Sequence, residues 1–186
     1  RTAALLDPTA PDPTPALVAD AQRLERMGAD FLVLPCNSAN IFTEPVERAI
    51  GIELLSIVQE TARVALALAD GPIAVFATEG TIHAGTYHEA ITRGGGIAWT
   101  PPRPLQATIS AIIYDQVKAG RPVDLGALHA SIDVAREAGC SHVIFGCTEL
   151  SVVYDREGLS ERVDVVDSLR TLAEATILKA GRALVE

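Results

Sequence analysis

The sequence predicts an α/β protein of mostly parallel sheets arranged as two related lobes, and three observations carry that expectation. Short apolar runs bounded by turn residues alternate with longer segments of helical periodicity along the whole chain. The composition is 48% apolar but only 4% aromatic, which suits helices and buried parallel strands built from Ala, Val, Leu and Ile. The third observation is a pattern that occurs twice. Leu24 to Met27, Gly28, the run Phe31-Leu32-Val33-Leu34-Pro35 and then Cys36-Asn37-Ser38 form the first copy. Ala135 to Ala138, Gly139, the run Val143-Ile144-Phe145-Gly146 and then Cys147-Thr148-Glu149 form the second. In each copy a helix ends at a glycine suited to a left-handed cap. A buried strand comes next, and a cysteine sits just past its carboxyl end, where open α/β sheets place their ligands.

The elements run in order. Residues 1–6 read as the end of a strand or the loop beyond it, and Asp7-Pro8-Thr9-Ala10-Pro11-Asp12-Pro13 as a turn-rich connector. Thr14-Pro15 has the form of an N-cap followed by proline at the first helical position, opening a helix that runs to Met27. Residues 31–35 are the first clear strand, and a helix is expected after Asn37, carrying Ile41, Phe42 and Val46. A strand over 52–57 and a helix over 59–68 lead to Asp70-Gly71-Pro72, the expected crossing between lobes. Beyond it come a strand at 73–77, a small-residue loop at Thr78-Glu79-Gly80-Thr81, a helix over 83–93 and a short strand at 97–99. Helices over 105–118 and 125–138, separated by Gly120-Arg121-Pro122, precede the strand at 143–145. Residues 148–154 read as a helical turn, 163–166 as a last strand, and Asp167-Ser168 as the cap of a helix reaching about Val185. The expected division is a first lobe of residues 1–70 and 168–186, carrying Cys36, and a second of 71–167, carrying Cys147.

Bulk properties exclude several function classes. The net charge of −9 repels phosphate backbones and no basic stripe interrupts it, which argues against a nucleic-acid partner. No apolar run approaches the roughly 18 uncharged residues of a membrane span, and no signal peptide is visible. Three cysteines, an odd number in a chain of this size, argue for a reducing, cytoplasmic setting rather than a disulfide scaffold. A small anion remains compatible with an acidic surface where Arg1, Lys118 and the helix starts after the two cysteines converge.

Four readings of the cysteines are open. Free cysteine is ordinarily a small buried apolar residue, and Cys140, at a helix end outside the duplicated slot, is read that way. A structural metal site needs four ligands with close paired spacing; His83, His88, His129 and His142 are scattered, so no metal is expected. A lone nucleophile would need a base and would leave the duplication unexplained. The fourth reading uses both thiols. Inverting an α-carbon takes one group on each face, each able to act as acid and as base, and a thiol pKa of about 8.5 keeps both forms within reach of neutrality. Asn37, Ser38 and Thr148 can then hold the substrate carboxylate.

Pro35-Cys36-Asn37-Ser38-Ala39-Asn40 and Gly146-Cys147-Thr148-Glu149-Leu150 resemble the paired signatures of the aspartate/glutamate racemase superfamily, nearest its aspartate racemase branch. Ala77-Thr78-Glu79-Gly80-Thr81, with Gly85 and Tyr87 beyond, is similar to that branch's segment after the first strand of its second lobe, and Arg1-Thr2-Ala3 to the tail of its Pro-Asp-Arg-Thr motif. The resemblance implies two pseudo-symmetric flavodoxin-like lobes with the active site in the cleft between them. It further implies cofactor-independent racemisation of aspartate, glutamate or a related amino acid, and a homodimer. Cys36 and Cys147 would be the two bases. Asn37, Ser38, Thr81 and Thr148 would bind the α-carboxylate or α-amino group, Arg1 and Lys118 the acidic substrate, and Glu149 the ammonium or its own turn. Serine at 38 and asparagine at 40 stand where the family has threonine and histidine; Asn40 removes an imidazole near the first thiol and bears on how it is activated and which substrate fits. Family members also carry an N-terminal strand with a glycine-rich loop and a further strand before Arg1, so the first lobe is expected to lack its N-terminal strand region. The alternatives are a single-cysteine isomerase or decarboxylase of small dicarboxylates on the same scaffold, or a non-catalytic small-anion binding protein.

Overall fold

A computed structural model describes residues 9–185; the strand end expected over 1–6, and Arg1 with it, lies outside them. Two parallel sheets organise the chain. In the smaller, β1 (Phe31–Leu34) pairs with β2 (Glu53–Ser56), from Phe31↔Glu53 to Leu34↔Ser56. The larger has the order β4-β3-β5-β6, with β3 (Ile73–Ala77), β4 (Ala98–Trp99), β5 (His142–Gly146) and β6 (Val165–Asp167), all parallel. Helices cover both faces of this sheet, so the central strands are buried on both sides and read as unbroken apolar runs. All five residues of β3 are buried.

The helices are α1 (Thr14–Arg26), α2 (Thr43–Ala49), α3 (Ile57–Leu68), α4 (Glu79–Ala84), α5 (Thr86–Arg93), α6 (Arg103–Ala111), α7 (Leu125–Glu137), α8 (Thr148–Arg156) and α9 (Ser168–Lys179). A 3₁₀ segment, Asn37–Phe42, precedes α2, and a π-helical segment, Ile112–Val117, continues α6. One core packs Phe76, Phe145 and Val143 against Ile109, Ile112, Ile113, Leu128 and Ile132 on α6, the π segment and α7. The opposite face packs Ile73, Val75, Ile144 and Val166 against Ile57, Val58, Ala62 and Ala65 of α3, Tyr87 and Ile91 of α5 and Leu172 of α9. The expected division at Asp70-Gly71-Pro72 groups α3 with the smaller sheet. In space α3 and α9 pack on each other and contact β2 as well as the larger sheet, lying between the two.

Several local expectations change. Thr14 is the first helical residue rather than the cap; its N–H donates to Asp12 Oδ1 at 2.9 Å. Thr78, expected in a loop, caps α4 by accepting from the Thr81 N–H at 3.3 Å. The single helix expected over 83–93 is two, because Gly85 adopts φ 68° between α4 and α5. Residues 148–154, expected as a turn, lie in a full helix reaching Arg156. The last helix stops at Lys179, where its late apolar residues Ile177 and Leu178 find no core and stay 39% and 56% exposed.

Candidate active site

The duplicated pattern is duplicated in conformation. Gly28 and Gly139 close their helices at φ 92° and 89°, a region that favours glycine. Cys36 and Cys147 then leave their strands in matching extended conformations, φ −147°, ψ 109° and φ −151°, ψ 134°, each as the cap of the next helix. Their carbonyls accept the first turn of those helices, from Ala39 at 3.2 Å and Leu150 at 2.9 Å. Cysteine thus stands where a strand end meets the positive end of a helix, which favours a developing anion.

Cys36 comes from the smaller sheet and Cys147 from the larger, and both line one cavity of ≈90 Å³ together with Asn37, Ser38, Thr78, Lys118, Thr148 and Glu149. The register Ala77↔Gly146 brings the ends of β3 and β5 level, so Thr78 and Cys147 emerge side by side. Lys118 arrives from the other direction: it caps the π segment and sits 4.5 Å above the Tyr114 ring. A π turn shifts the residues after it relative to a regular helix, and such turns recur at functional sites.

Charge is distributed unevenly around the two sulfurs. Cys147 is buried, and its thiol donates to Glu149 Oε2 at 2.8 Å. Thr148 Oγ1 donates to the same oxygen at 3.3 Å, and Lys118 Nζ lies 3.6 Å from Glu149 Oε1. Burial, then the hydrogen bond to Glu149 and its negative charge, push the Cys147 thiol up to about 12. Burial works against ionisation of Glu149 too, but the bonds from Cys147 and Thr148 and the nearby Lys118 charge outweigh it and hold the carboxyl below its usual range. Near neutrality this arrangement favours Cys147 as thiol and Glu149 as carboxylate. The raised thiol favours the folded state fully below the unfolded thiol pKa, near 9, and loses that contribution as pH rises toward about 12. Native stability in urea should therefore fall faster above pH 9 than that of Cys147→Ser, by up to about 1.4 kcal/mol per pH unit. Identical pH slopes for the two proteins would contradict the assignment of this proton.

Around the cavity runs a set of polar contacts joining the two sheets. Ser38 Oγ lies 2.9 Å from Thr81 Oγ1 and 3.4 Å from Thr78 Oγ1, and the two threonine oxygens are 3.0 Å apart. Asn37 accepts from the buried Tyr87 hydroxyl at 2.5 Å and donates through Nδ2 to Ser168 Oγ at 3.1 Å. Asn40, where the resemblance has histidine, holds the turn: it donates to the Cys36 carbonyl at 2.9 Å and accepts from Ser56 at 2.6 Å. Gly146 admits the Tyr87 ring, since a Cβ there would lie 2.9 Å from Tyr87 Cε2 and 3.3 Å from Ala77 Cβ. Gly146→Ala should cost about 1–3 kcal/mol by overpacking, read from the urea midpoint; a loss below roughly 0.5 kcal/mol would mean that the ring gives way freely.

Of the residues expected from sequence, Cys36, Asn37, Ser38, Lys118, Cys147, Thr148 and Glu149 share the cavity wall. Thr81 does not line it; it stands behind Ser38 and Thr78, because α4 turns it inward one turn after its cap. Arg1 lies outside the described residues. Thr78 and Tyr87 were not among the expected site residues. Thr78 could have been found as an N-cap threonine directly after a buried strand; Tyr87 was named only within the resembling segment, and nothing local marks its contact, whose partner is fifty positions away. Cys140 is a buried core residue. Among the described residues no three His, Cys, Asp or Glu side chains come together as metal ligands, and no helix is long and apolar enough to cross a membrane.

A family model described as Asp/Glu/Hydantoin racemase matches residues 5–176. The chain belongs to this family. Within it, the chain is 26% identical over 162 residues to the broad specificity amino-acid racemase RacX of Bacillus subtilis, covering 87% of this chain and 70% of RacX. It is 29% identical over 168 residues to a glutamate racemase of Beutenbergia cavernae, covering 85% of this chain and 54% of that protein, so it spans about half the length of this relative. An aspartate racemase homologue from Pyrococcus horikoshii shares the fold with a TM-score of 0.80 at 24% identity, over 91% of this chain and 74% of that one. The two-lobe α/β architecture is thus the family's fold.

Proposed function

We propose that this member of the Asp/Glu/Hydantoin racemase family is an amino-acid racemase that works without pyridoxal phosphate on aspartate or a comparably small acidic amino acid. The observation that carries the reading is that two cysteines in matching strand-end positions, one from each sheet, line a single cavity. Its volume of ≈90 Å³, about three waters at roughly 30 Å³ each, favours a small substrate.

In this mechanism the two thiols divide the work. Cys147 rests protonated, held by Glu149, so Cys36 is the group that first removes an α-proton. Cys147 then delivers its proton to the opposite face of the carbon, leaving Cys36 as thiol and Cys147 as thiolate; the reverse reaction exchanges the roles. The thiolate formed on Cys147 faces the Lys118 charge and the start of α8, both of which oppose the cost of burying it. Backbone N–H groups at the starts of the Asn37–Phe42 segment and α8, with Ser38 and Thr148, are placed to hold the α-carboxylate as charge develops on the carbon. Lys118 is the cation for a side-chain carboxylate, and Glu149 an acceptor for the ammonium. The chain is further proposed to act in the cytoplasm as a homodimer.

Incubating L-aspartate with the protein in deuterium oxide, without added pyridoxal phosphate, should incorporate deuterium at the α-carbon and abolish optical rotation. L-glutamate, maleate and an arylmalonate run in parallel distinguish racemisation from isomerisation or decarboxylation. Absence of α-deuterium from every amino acid tried, with turnover of maleate or the arylmalonate instead, would replace this reading with single-cysteine chemistry.

A further inference from the structure

The two copies of the cysteine unit differ in how the cysteine carbonyl is held. In the second, the Cys147 carbonyl accepts from the backbone N–H groups of Leu150 at 2.9 Å and Ser151 at 3.2 Å, three and four residues on, as α8 begins. In the first, a 3₁₀ segment follows, whose bonds span three residues and have poorer geometry. The Cys36 carbonyl accepts from the Ala39 N–H at 3.2 Å, and the residue four positions on, Asn40, reaches it with its side chain, Nδ2 donating at 2.9 Å. Asn40 is buried, and its other end is fixed too: Oδ1 accepts from the Ser56 hydroxyl at 2.6 Å. Ser56 Oγ in turn accepts from the Gln59 N–H at 3.2 Å as the cap of α3. A carbonyl can only accept and the serine proton needs an acceptor, so these partners leave the amide one orientation.

This chain of bonds joins the Cys36 turn to β2 and α3. Ser56 ends β2 opposite Leu34, two residues before Cys36. The helix that Ser56 opens, α3, packs against β5 and β6 of the larger sheet, from which Cys147 comes. Asn40 and Ser56 line a separate cavity of ≈450 Å³ rather than the cysteine cavity. We propose that Asn40, oriented by Ser56, is a positioning residue for racemisation. Its side chain supplies at Cys36 the bond that the Ser151 backbone supplies at Cys147, and so holds the Cys36 peptide and its sulfur at one face of the substrate carbon. Its role rests on the two-thiol reading of the cavity. A thiol must sit within hydrogen-bond reach of the α-proton, and a displacement of about 1 Å costs up to roughly 10²-fold. Because Cys147 has backbone bonds at the equivalent points, loss of the Asn40 amide acts on one face only.

Deuterium exchange at the α-carbon of L- and D-aspartate, followed one face at a time, tests this. In the Cys147→Ser background exchange proceeds through Cys36, and in the Cys36→Ser background through Cys147. Asn40→Ala should lower kcat for exchange by about 10–100-fold in the first background with KM little changed, and leave exchange in the second unchanged. Ser56→Ala, which keeps the amide but frees its orientation, should have the same one-sided effect to a smaller extent. Ser56→Thr keeps the hydroxyl and has the ≈450 Å³ cavity beside it for the added methyl group, so it should restore the rate. A variant damaged only in its fold loses both faces together. Equal losses on the two faces in both Asn40→Ala and Ser56→Ala would therefore overturn the proposal, as would an undiminished Cys36 face in Asn40→Ala. Exchange of neither enantiomer by the native protein is a separate result, which would overturn the two-thiol reading and the role of Asn40 with it.

Discussion

Replacing Cys147 by serine is expected to lower the rate of aspartate racemisation by roughly 10²–10⁴-fold, and Cys36→Ser by a comparable factor. A serine hydroxyl is too weak an acid to supply the proton at neutral pH, so inversion loses one of its two groups. The two losses should not look alike in deuterium oxide. With Cys36 intact, the Cys147→Ser protein can still withdraw and return a proton on one face, so one enantiomer of aspartate slowly gains deuterium without inverting. The Cys36→Ser protein should do the same to the other enantiomer. This complementary washout is the signature of one group per face, measured by chiral separation followed by mass spectrometry. Racemisation within about tenfold of the native rate in both variants would remove the cysteines from the mechanism, since one lost acid–base group costs at least about 10².

Phe145→Ala is expected to destabilise the protein by about 3–5 kcal/mol, a large fraction of the roughly 5–15 kcal/mol of an ordinary domain. Phe145 is fully buried in β5, stacks on Phe76 with centroids 6.4 Å apart and meets the Tyr154 ring edge-on at 6.3 Å. Helices lie on both faces of the sheet, so little can collapse into the space left behind. Urea unfolding measures the loss, and a change below about 1 kcal/mol would mean that this core repacks freely. Because Cys147 comes two residues later, racemisation at low denaturant should fall together with stability in this variant.

The alternation of strands and helices was legible because each buried strand announces itself by a bounded apolar run and each helix by its periodicity and punctuation. The runs at 73–77 and 143–145 became the central strands β3 and β5. Most of the cavity was legible as well, through two short motifs whose residues stay together in space because they lie just past a strand end. The errors share a cause. Thr78 and Thr81 read in sequence as one small-residue loop, whereas α4 starts at that point and sends one threonine to the cavity and the other behind it. Which side of a short helix faces a ligand depends on the surface it packs against, and that contact is remote in sequence. The same holds for Tyr87 and Ser168, which reach Asn37 from two different elements.

From the linear order of residues alone came the class of fold, the repeated glycine–strand–cysteine unit and the proposal of two thiols as the reactive pair; each is written in neighbouring residues, where backbone preference and local burial operate. Folding in three dimensions decided that the two sulfurs share a wall and that Lys118 balances the carboxylate beside Cys147. These depend on contacts between segments remote in sequence, set by how sheets and helices pack and not by any short stretch of chain; the Asn37–Ser168 bond behind the cavity spans 131 positions.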